Sequence, residues 1–185
     1  MNLVKPAAAD ERIWSILAND KNSARYKILL SKPITDPVLE IGCHYGYLAC
    51  LLAKSHYVDV IALDLDPEYL RIAAAVAEKN NVVVKLIKAN AKQLPFGNNE
   101  IGTVFLCEML EHLEDPLPVL NEAIRVTRDY LYITTPAKGV MPPAITRGHK
   151  QDFSLDELIL LVEGAGVTVT GSFVDETFNY VFTRK

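Results

Sequence analysis

An α/β fold built on a mostly parallel sheet is predicted by three features of this 185-residue sequence. Apolar strand-like runs alternate with helix-like segments through five strands before a last helix and a hairpin, the order that parallel crossovers produce. The first run, within VLEIGCHYGYLA (Val38 to Ala49), opens into a loop bearing Gly42 and Gly46 and then a helix. The second, Val58 to Leu63, ends at Asp64, which completes a strand–helix–strand unit of the length a parallel crossover needs.

Length and composition suit one domain with a sizeable core: half the residues are hydrophobic and 23% are charged. The net charge of −4 gives no general attraction to nucleic acid or to an anionic membrane. Charge is uneven, however. Met1 to Lys32 carries six basic residues against three acidic ones, and Asn99 to Glu122 carries six acids with no Lys or Arg. A cationic ligand would favour that second stretch, and a solvated acidic face is the alternative. Cys43, Cys50 and Cys107 are odd in number with no CxxC spacing, which points to reduced thiols and a cytoplasmic location. No apolar run reaches the length of a membrane span, and MNLVKPAAADER lacks the apolar core of a signal peptide.

Residues 1–36 read as a helical preamble and residues 37–185 as the core of a single domain. Helices are expected over Ala7 to Ala18, with Ile13, Trp14, Ile16 and Leu17 on one face, and over Asn22 to Lys32. The proline-punctuated connector SKPITDP follows. A basic preamble before the first strand is placed either to cover a cofactor cleft as a lid or to pack on the sheet edge. After the glycine loop, Tyr47 to Ser55 continues as helix. Asp64 then stands where an acid binds ribose hydroxyls in Rossmann-like folds, or serves as a turn acid. Asp66-Pro67 suits the start of the next helix, Pro67 to Asn80, which leaves Asp64 free for a ligand.

Val82 to Lys88 is the third strand, leading to Ala89-Asn90-Ala91 and a polar connector from Lys92 to Gly102. Thr103 to Cys107 is the fourth, followed by EMLEHLED, a helix from about Pro116 to Thr127, and a fifth strand, Tyr130 to Thr134. Ala137 to Gln151, with Pro142 and Pro143, is long enough for a functional or mobile loop. Ser154 and Glu157 form a capping box for a helix ending at Gly164 or Gly166. Val167 to Phe173 and Phe178 to Arg184 close the chain as an antiparallel hairpin.

The glycine loop is either a cofactor cradle or a βα turn that needs glycine for geometry. A dinucleotide would expect GxGxxG, but His44 and Tyr47 stand where the second and third glycines belong, and Glu40 inside the strand is unexplained by such a ligand. A dinucleotide oxidoreductase is therefore the weakest reading. From Pro37 onward the chain resembles the class I S-adenosylmethionine-dependent methyltransferases. LEIGCHYGYLA is similar to the first motif, VIALDLDPEYLRIA to the second strand with its ribose acid, ANAKQLPF to the adenine-contacting turn, and CEMLEHLEDP to the fourth-strand motif. The resemblance implies a Rossmann-like three-layer sandwich whose seven-stranded, mostly parallel sheet has the order 3-2-1-4-5-7-6, strand 7 antiparallel.

It also implies a site. Glu40 orders the loop near the methionine end, and Gly42, Cys43, His44 and Gly46 form the loop wall. Asp64 takes the ribose hydroxyls and Leu65 packs on adenine. Asn90 and the Ala91 amide meet the adenine edge, the Cys107 carbonyl accepts from the methionine amino group, and Glu108 is a further cofactor-binding candidate. Three positions depart from the family pattern: His44 replaces the middle glycine of the loop, Asn90 an aspartate, and Gly102 an aspartate before the fourth strand.

For chemistry at the acceptor, Glu108, Glu111 and His112 lie at i, i+3 and i+4, one face if the segment is helical. They read as a polar helix face, as a general base (His112) beside Glu111, or, with His149, as ligands of a divalent metal. ExxEH resembles the metal motif of ubiquinone-pathway O-methyltransferases and of small-RNA 3′-end 2′-O-methyltransferases, the latter adding a later His. The same segment also occurs in methyltransferases without metal, and His149 has the alternative role of ordering the loop before the last helix. Candidate catalytic residues are thus Glu111, His112 and His149. The expected function is methyl transfer from S-adenosylmethionine, giving S-adenosylhomocysteine, to an oxygen of a small molecule such as a phenol, quinone precursor or sugar, by a monomer or homodimer. The alternatives are an RNA 2′-O-methyltransferase with a metal site and a non-catalytic cofactor-binding regulatory module.

Overall fold

The computed structural model describes residues 20–56, 58–141 and 148–185. The expected helix from Ala7 to Ala18, with Trp14, and the Pro142-Pro143 pair lie outside the described residues. The chain divides after Lys32 into two compact units. In the first, helix α1 spans Asp20–Leu30, with Lys27 in the last turn where the helix dipole favours a cation.

The second unit, Pro33–Lys185, alternates strand and helix as expected. Its order is β1 (Val38–Ile41), α2 (Tyr47–His56), β2 (Val60–Asp64), α3 (Pro67–Lys79), β3 (Lys85–Lys88) and β4 (Ile101–Cys107). After a 3-10 turn at Leu110–His112 come α4 (Leu117–Val126), β5 (Thr127–Pro136), α5 (Leu155–Gly164), β6 (Val169–Val174) and β7 (Phe178–Arg184). The seven strands form one sheet in the order β3-β2-β1-β4-β5-β7-β6. Pairs from β3 through β5 are parallel, and β7 runs antiparallel to β5 and β6. This is the topology the resemblance implied.

Burial follows position in the sheet. β1, and β4 up to its last residue, are buried throughout, as strands covered on both faces must be, whereas the edge strand β3 begins and ends on exposed lysines. One core cluster joins Leu39, Ile41, Leu63, Val104, Leu106, Leu131 and Ile133 of the sheet to Leu120 and Ala123 of α4 and Leu158 and Val162 of α5. Every parallel strand of this sheet ends at the same edge, so the loops after β1, β2, β3 and β4 are gathered there.

Several boundaries differ from expectation for identifiable reasons. β3 begins at Lys85 rather than Val82, because its ladder starts opposite Ile61, and the Val82 N–H instead closes α3 on the Ala77 carbonyl oxygen. β5 is longer than the YLYIT run because β4 and β7 flank it on its two sides; its terminal Pro136, which has no N–H to give, sits opposite Phe178. Gly102, for which the sequence offered no account, is explained by packing. A Cβ there would overlap the carbonyl oxygens of Thr35 and Asp36, a crossing held by Thr35 N–H to Thr103 Oγ1 (2.8 Å) and Thr103 Oγ1 to Thr35 O (3.0 Å). Among the described residues no helix is long and apolar enough to cross a membrane.

The capping box of α5 is formed as expected: the Ser154 N–H donates to Glu157 Oε2 (2.8 Å) and the Glu157 N–H to Ser154 Oγ (3.3 Å). Lys138 Nζ adds a bond to Glu157 Oε1 (2.8 Å), and the lysine, which contributes most, draws the Glu157 carboxyl from its ordinary 4.5 down to about 2 together with the backbone N–H and the hydroxyl of Ser154. A depressed folded-state value stabilises above the unfolded value and is lost as pH falls through the folded one. The stability difference between wild type and Glu157→Gln, measured by urea titration, should therefore be constant near neutrality and shrink from about pH 4.5 toward about pH 2. A difference that does not change below pH 4.5 would show that the charge is not what caps this helix.

Candidate active site

The residues singled out in the sequence after β1, β2, β3 and β4 lie at these gathered strand ends. Gly42 and Gly46 both adopt positive φ, +73° and +71°, and space is tight at both. A Cβ on Gly42 would stand 2.9 Å from Met109 Sδ and one on Gly46 2.8 Å from the Ala73 side chain. His44 between them also has positive φ, +49°. The backbone here has thus kept a glycine-like conformation without the glycine, at a cost of about 1–2 kcal/mol for a residue with a Cβ. Glu40 is buried, and its Oε2 accepts the Ala49 N–H at 2.9 Å. An acid inside an apolar strand is explained by that bond: it satisfies one of the orphan donors at the start of α2 and sits at the favourable end of its dipole.

The Cys43 side chain is turned inward, so only its backbone is left to the loop's ligand side. It is buried, and its N–H donates to Leu63 O at 2.9 Å. Burial, with Glu40 next, pushes its thiol far above the ordinary range and that of Cys50 to about 12, so neither is a thiolate nucleophile. Asp64 does not cap the helix but already holds two backbone groups. Its Oδ2 accepts the His44 N–H and its Oδ1 the Asp66 N–H, both at 2.9 Å. Asp66 caps α3 through the Glu68 N–H (2.8 Å) with Pro67 in the first turn, as expected. A carboxylate offers about four acceptor sites, so Asp64 retains capacity for ribose hydroxyls. Beside it Leu65 is 62% exposed, an apolar wall open to a flat ligand.

The turn after β3 is joined to the same place by the Ala89 N–H on Asp64 O (3.1 Å). Asn90 uses its Oδ1 to accept the Lys92 N–H (2.9 Å), an Asx-turn that leaves Nδ2 as its outward donor, while Ala91 is buried. The connector beyond is clamped by a pair the sequence reading missed. Arg125 bonds both Glu122 oxygens (2.6 and 2.8 Å) and donates to Phe96 O (2.8 Å) and Leu94 O (3.2 Å); Glu122 Oε2 accepts the Leu94 N–H (2.7 Å). The i, i+3 spacing of Glu122 and Arg125 on a helix was the available signal.

After β4 the expected helical face does not form. Glu108 takes φ +53°, donates its N–H to Thr134 O (2.9 Å) and accepts Thr134 Oγ1 on Oε1 (3.0 Å). A single 3-10 turn then buries Glu111 and leaves His112 half exposed, so Glu108 does not join them. His149 does. The Lys150 and Gln151 N–H groups bond Glu111 O (2.8 and 3.3 Å), which stitches the returning limb of the long loop to this turn. The rings of His112 and His149 meet edge to face, centroids 4.9 Å apart, and the ligand atoms of Glu111, His112 and His149 all lie within 4.8 Å of one another. His149 Nδ1 faces Asp152 Oδ1 at 3.5 Å. His112 Nδ1 contacts Gly148 O at 3.2 Å. A carbonyl only accepts, so in the neutral ring that contact puts the proton on Nδ1 and the lone pair on Nε2, which lies 3.9 Å from Glu111 Oε1. Burial lowers the His44 pKa, with Asp64 and Asp66 opposing and His112 adding to the fall; the two histidines are close enough for their charges to interact.

Residues 39–132 match the family described as "Methyltransferase domain". The chain belongs to the class I S-adenosylmethionine-dependent methyltransferases. A curated relative, the ubiquinone biosynthesis O-methyltransferase of Aliivibrio fischeri, is 36% identical over 92 residues, 49% of this chain and 39% of that one. A Mycobacterium tuberculosis protein named "Probable S-adenosylmethionine-dependent methyltransferase" is 31% identical over 147 residues, 76% of this chain and 52% of its own. The chain thus spans about half the length of these relatives or less. Among solved structures, a SAM dependent methyltransferase from Aquifex aeolicus superposes with a TM-score of 0.70 at 24% identity, covering 89% of this chain and 88% of that one, which is a likeness of fold. The family's cofactor is S-adenosylmethionine, and this methyltransferase domain has the groups for it. An acid with spare acceptor capacity stands next to an exposed apolar wall, and an amide donor lies on the adjoining turn.

Proposed function

We propose that this chain transfers the methyl group of S-adenosylmethionine to a hydroxyl oxygen of a small molecule, with His112 taking the proton. The observation that carries the reading is the contact of His112 Nδ1 with Gly148 O, which in the neutral ring leaves the lone pair on Nε2, beside Glu111. The oxygen acceptor is supported by the name of the Aliivibrio relative and the small-molecule acceptor by the net charge of −4. When bound, the cofactor supplies a methyl on a positively charged sulfur, an electrophile that needs no activation by the protein.

What remains for the chain is positioning and the proton. Asp64, Leu65 and Asn90 would hold the nucleoside, while Gly42, Gly46 and the Cys107 carbonyl would face the amino-acid end. Orientation of this kind lowers a barrier by about 7–11 kcal/mol. His112 Nε2 accepts the hydroxyl proton as the oxygen attacks, and buried Glu111 stabilises the imidazolium that results. The lone pair on Nε2 serves equally well as a metal ligand, and the closeness of Glu111, His112 and His149 favours a divalent cation as a second reading of the same atoms.

Thermal-shift titration followed by assay on phenolic and sugar acceptors tests both. S-adenosylmethionine and S-adenosylhomocysteine should raise the melting point and NAD should not, since a ligand at 100 times its Kd adds about 2.7 kcal/mol. His112→Ala should keep the shift and lose about 10²–10⁴ in turnover. Turnover that survives chelation supports the base, and turnover abolished by chelation supports the metal. No shift with either sulfur compound overturns the cofactor reading, and a shift with no turnover on any acceptor leaves a binding module.

A further inference from the structure

We propose that His44 is a positioning residue for Asp64, and that its ring, packed with Tyr45 and Tyr69, sets how strongly the site selects a ribose over a deoxyribose. The proposal rests on the reading that Asp64 takes the ribose hydroxyls.

The loop after β1 has positive φ at Gly42, His44 and Gly46. Glycine meets that requirement without strain at two of the three, and the third holds the residue with the ring. Its backbone task, donating to Asp64 Oδ2 at 2.9 Å, needs no side chain. A glycine would make the same bond. What histidine adds is a set of ring contacts: centroids 3.6 Å from Tyr45 and 4.2 Å from Tyr69, with Tyr45 and Tyr69 edge to face at 5.5 Å. Tyr69 lies in the first turn of α3, so the cluster ties the segment after β1 to the segment after β2.

Asp64 stands between the segments so tied. One carboxylate oxygen is held by the N–H of His44 on the first and the other by the N–H of Asp66 on the second. The spacing of the two segments therefore sets the plane of the carboxylate and the direction of its unused lone pairs. Removal of the ring leaves the bond at His44 possible and the spacing loose.

The test uses the whole chain and three variants: His44→Gly, which relieves the strained position, Tyr69→Ala, which removes the partner ring and leaves the loop sequence intact, and Tyr69→Phe, which keeps the ring. Calorimetric titration compares S-adenosylhomocysteine with its 2′-deoxy counterpart, with melting curves recorded for each protein. Wild type should prefer the ribo form by about tenfold or more, as expected for one hydrogen bond to a charged acceptor. His44→Gly and Tyr69→Ala should narrow that preference to less than about threefold, and Tyr69→Phe should retain the wild-type ratio. If His44→Gly and Tyr69→Ala weaken both ligands equally and keep the ratio, or bind as wild type does, His44 does not position Asp64 and the proposal fails. If wild type binds but shows no ribo preference, the ribose role of Asp64 fails and the proposal with it.

Discussion

Replacing Asp64 by alanine should raise the Kd for S-adenosylhomocysteine by about 100-fold or more while the chain stays folded. The magnitude follows from two hydrogen bonds to a charged acceptor, each contributing about 1.5–3 kcal/mol, less what water recovers. The carboxylate also anchors two flanking N–H groups, on His44 and Asp66, so part of the loss in the alanine variant comes from a loosened loop. Asp64→Asn separates the contributions, because an amide oxygen keeps one acceptor and loses the charge. Asparagine should fall between wild type and alanine in affinity, with a melting point close to wild type. Titration calorimetry on the three proteins measures this, and wild-type affinity in Asp64→Ala would remove the acid from the cofactor site altogether.

Gly102→Ala should destabilise the fold by about 3 kcal/mol, the upper range for overpacking, because the atoms a new Cβ meets are carbonyl oxygens of Thr35 and Asp36 and cannot rotate away. At this chain length that corresponds to a fall of about 6–12 °C in the melting point. The control is Gly164→Ala, the last residue of α5, where a Cβ meets nothing within 4 Å and the backbone is not in the left-handed region. There alanine should be neutral or stabilising by a few tenths of a kcal/mol, through helix propensity. A melting point for Gly102→Ala within about 2 °C of wild type would mean that the connector shifts without cost.

What the sequence determined by itself is what local chemistry encodes. Strand runs, helix starts and glycine turns are written in neighbouring residues, so the alternation, the Asp66-Pro67 helix start, the Ser154–Glu157 capping box and the paired-glycine loop were all legible. Motif spacing extended that reading to the sheet order through a family resemblance. Decisions that depend on partners distant in sequence were not legible. Whether Glu108, Glu111 and His112 share a face depended on Thr134 drawing Glu108 aside and on residues 150–151 bonding the Glu111 carbonyl. Why Gly102 lacks a side chain depended on a connector 66 residues earlier in the chain.

The glycine loop shows the boundary most clearly. Its residues declared a turn that needs positive φ, because that demand belongs to each backbone position alone. That His44 would accept the conformation, donate to Asp64 and pack against Tyr69 followed only from bringing the ends of β1 and β2 side by side. Local propensity is a property of a few adjacent residues, whereas the orientation of a carboxylate is set by whatever the sheet places next to it, and no local pattern records that.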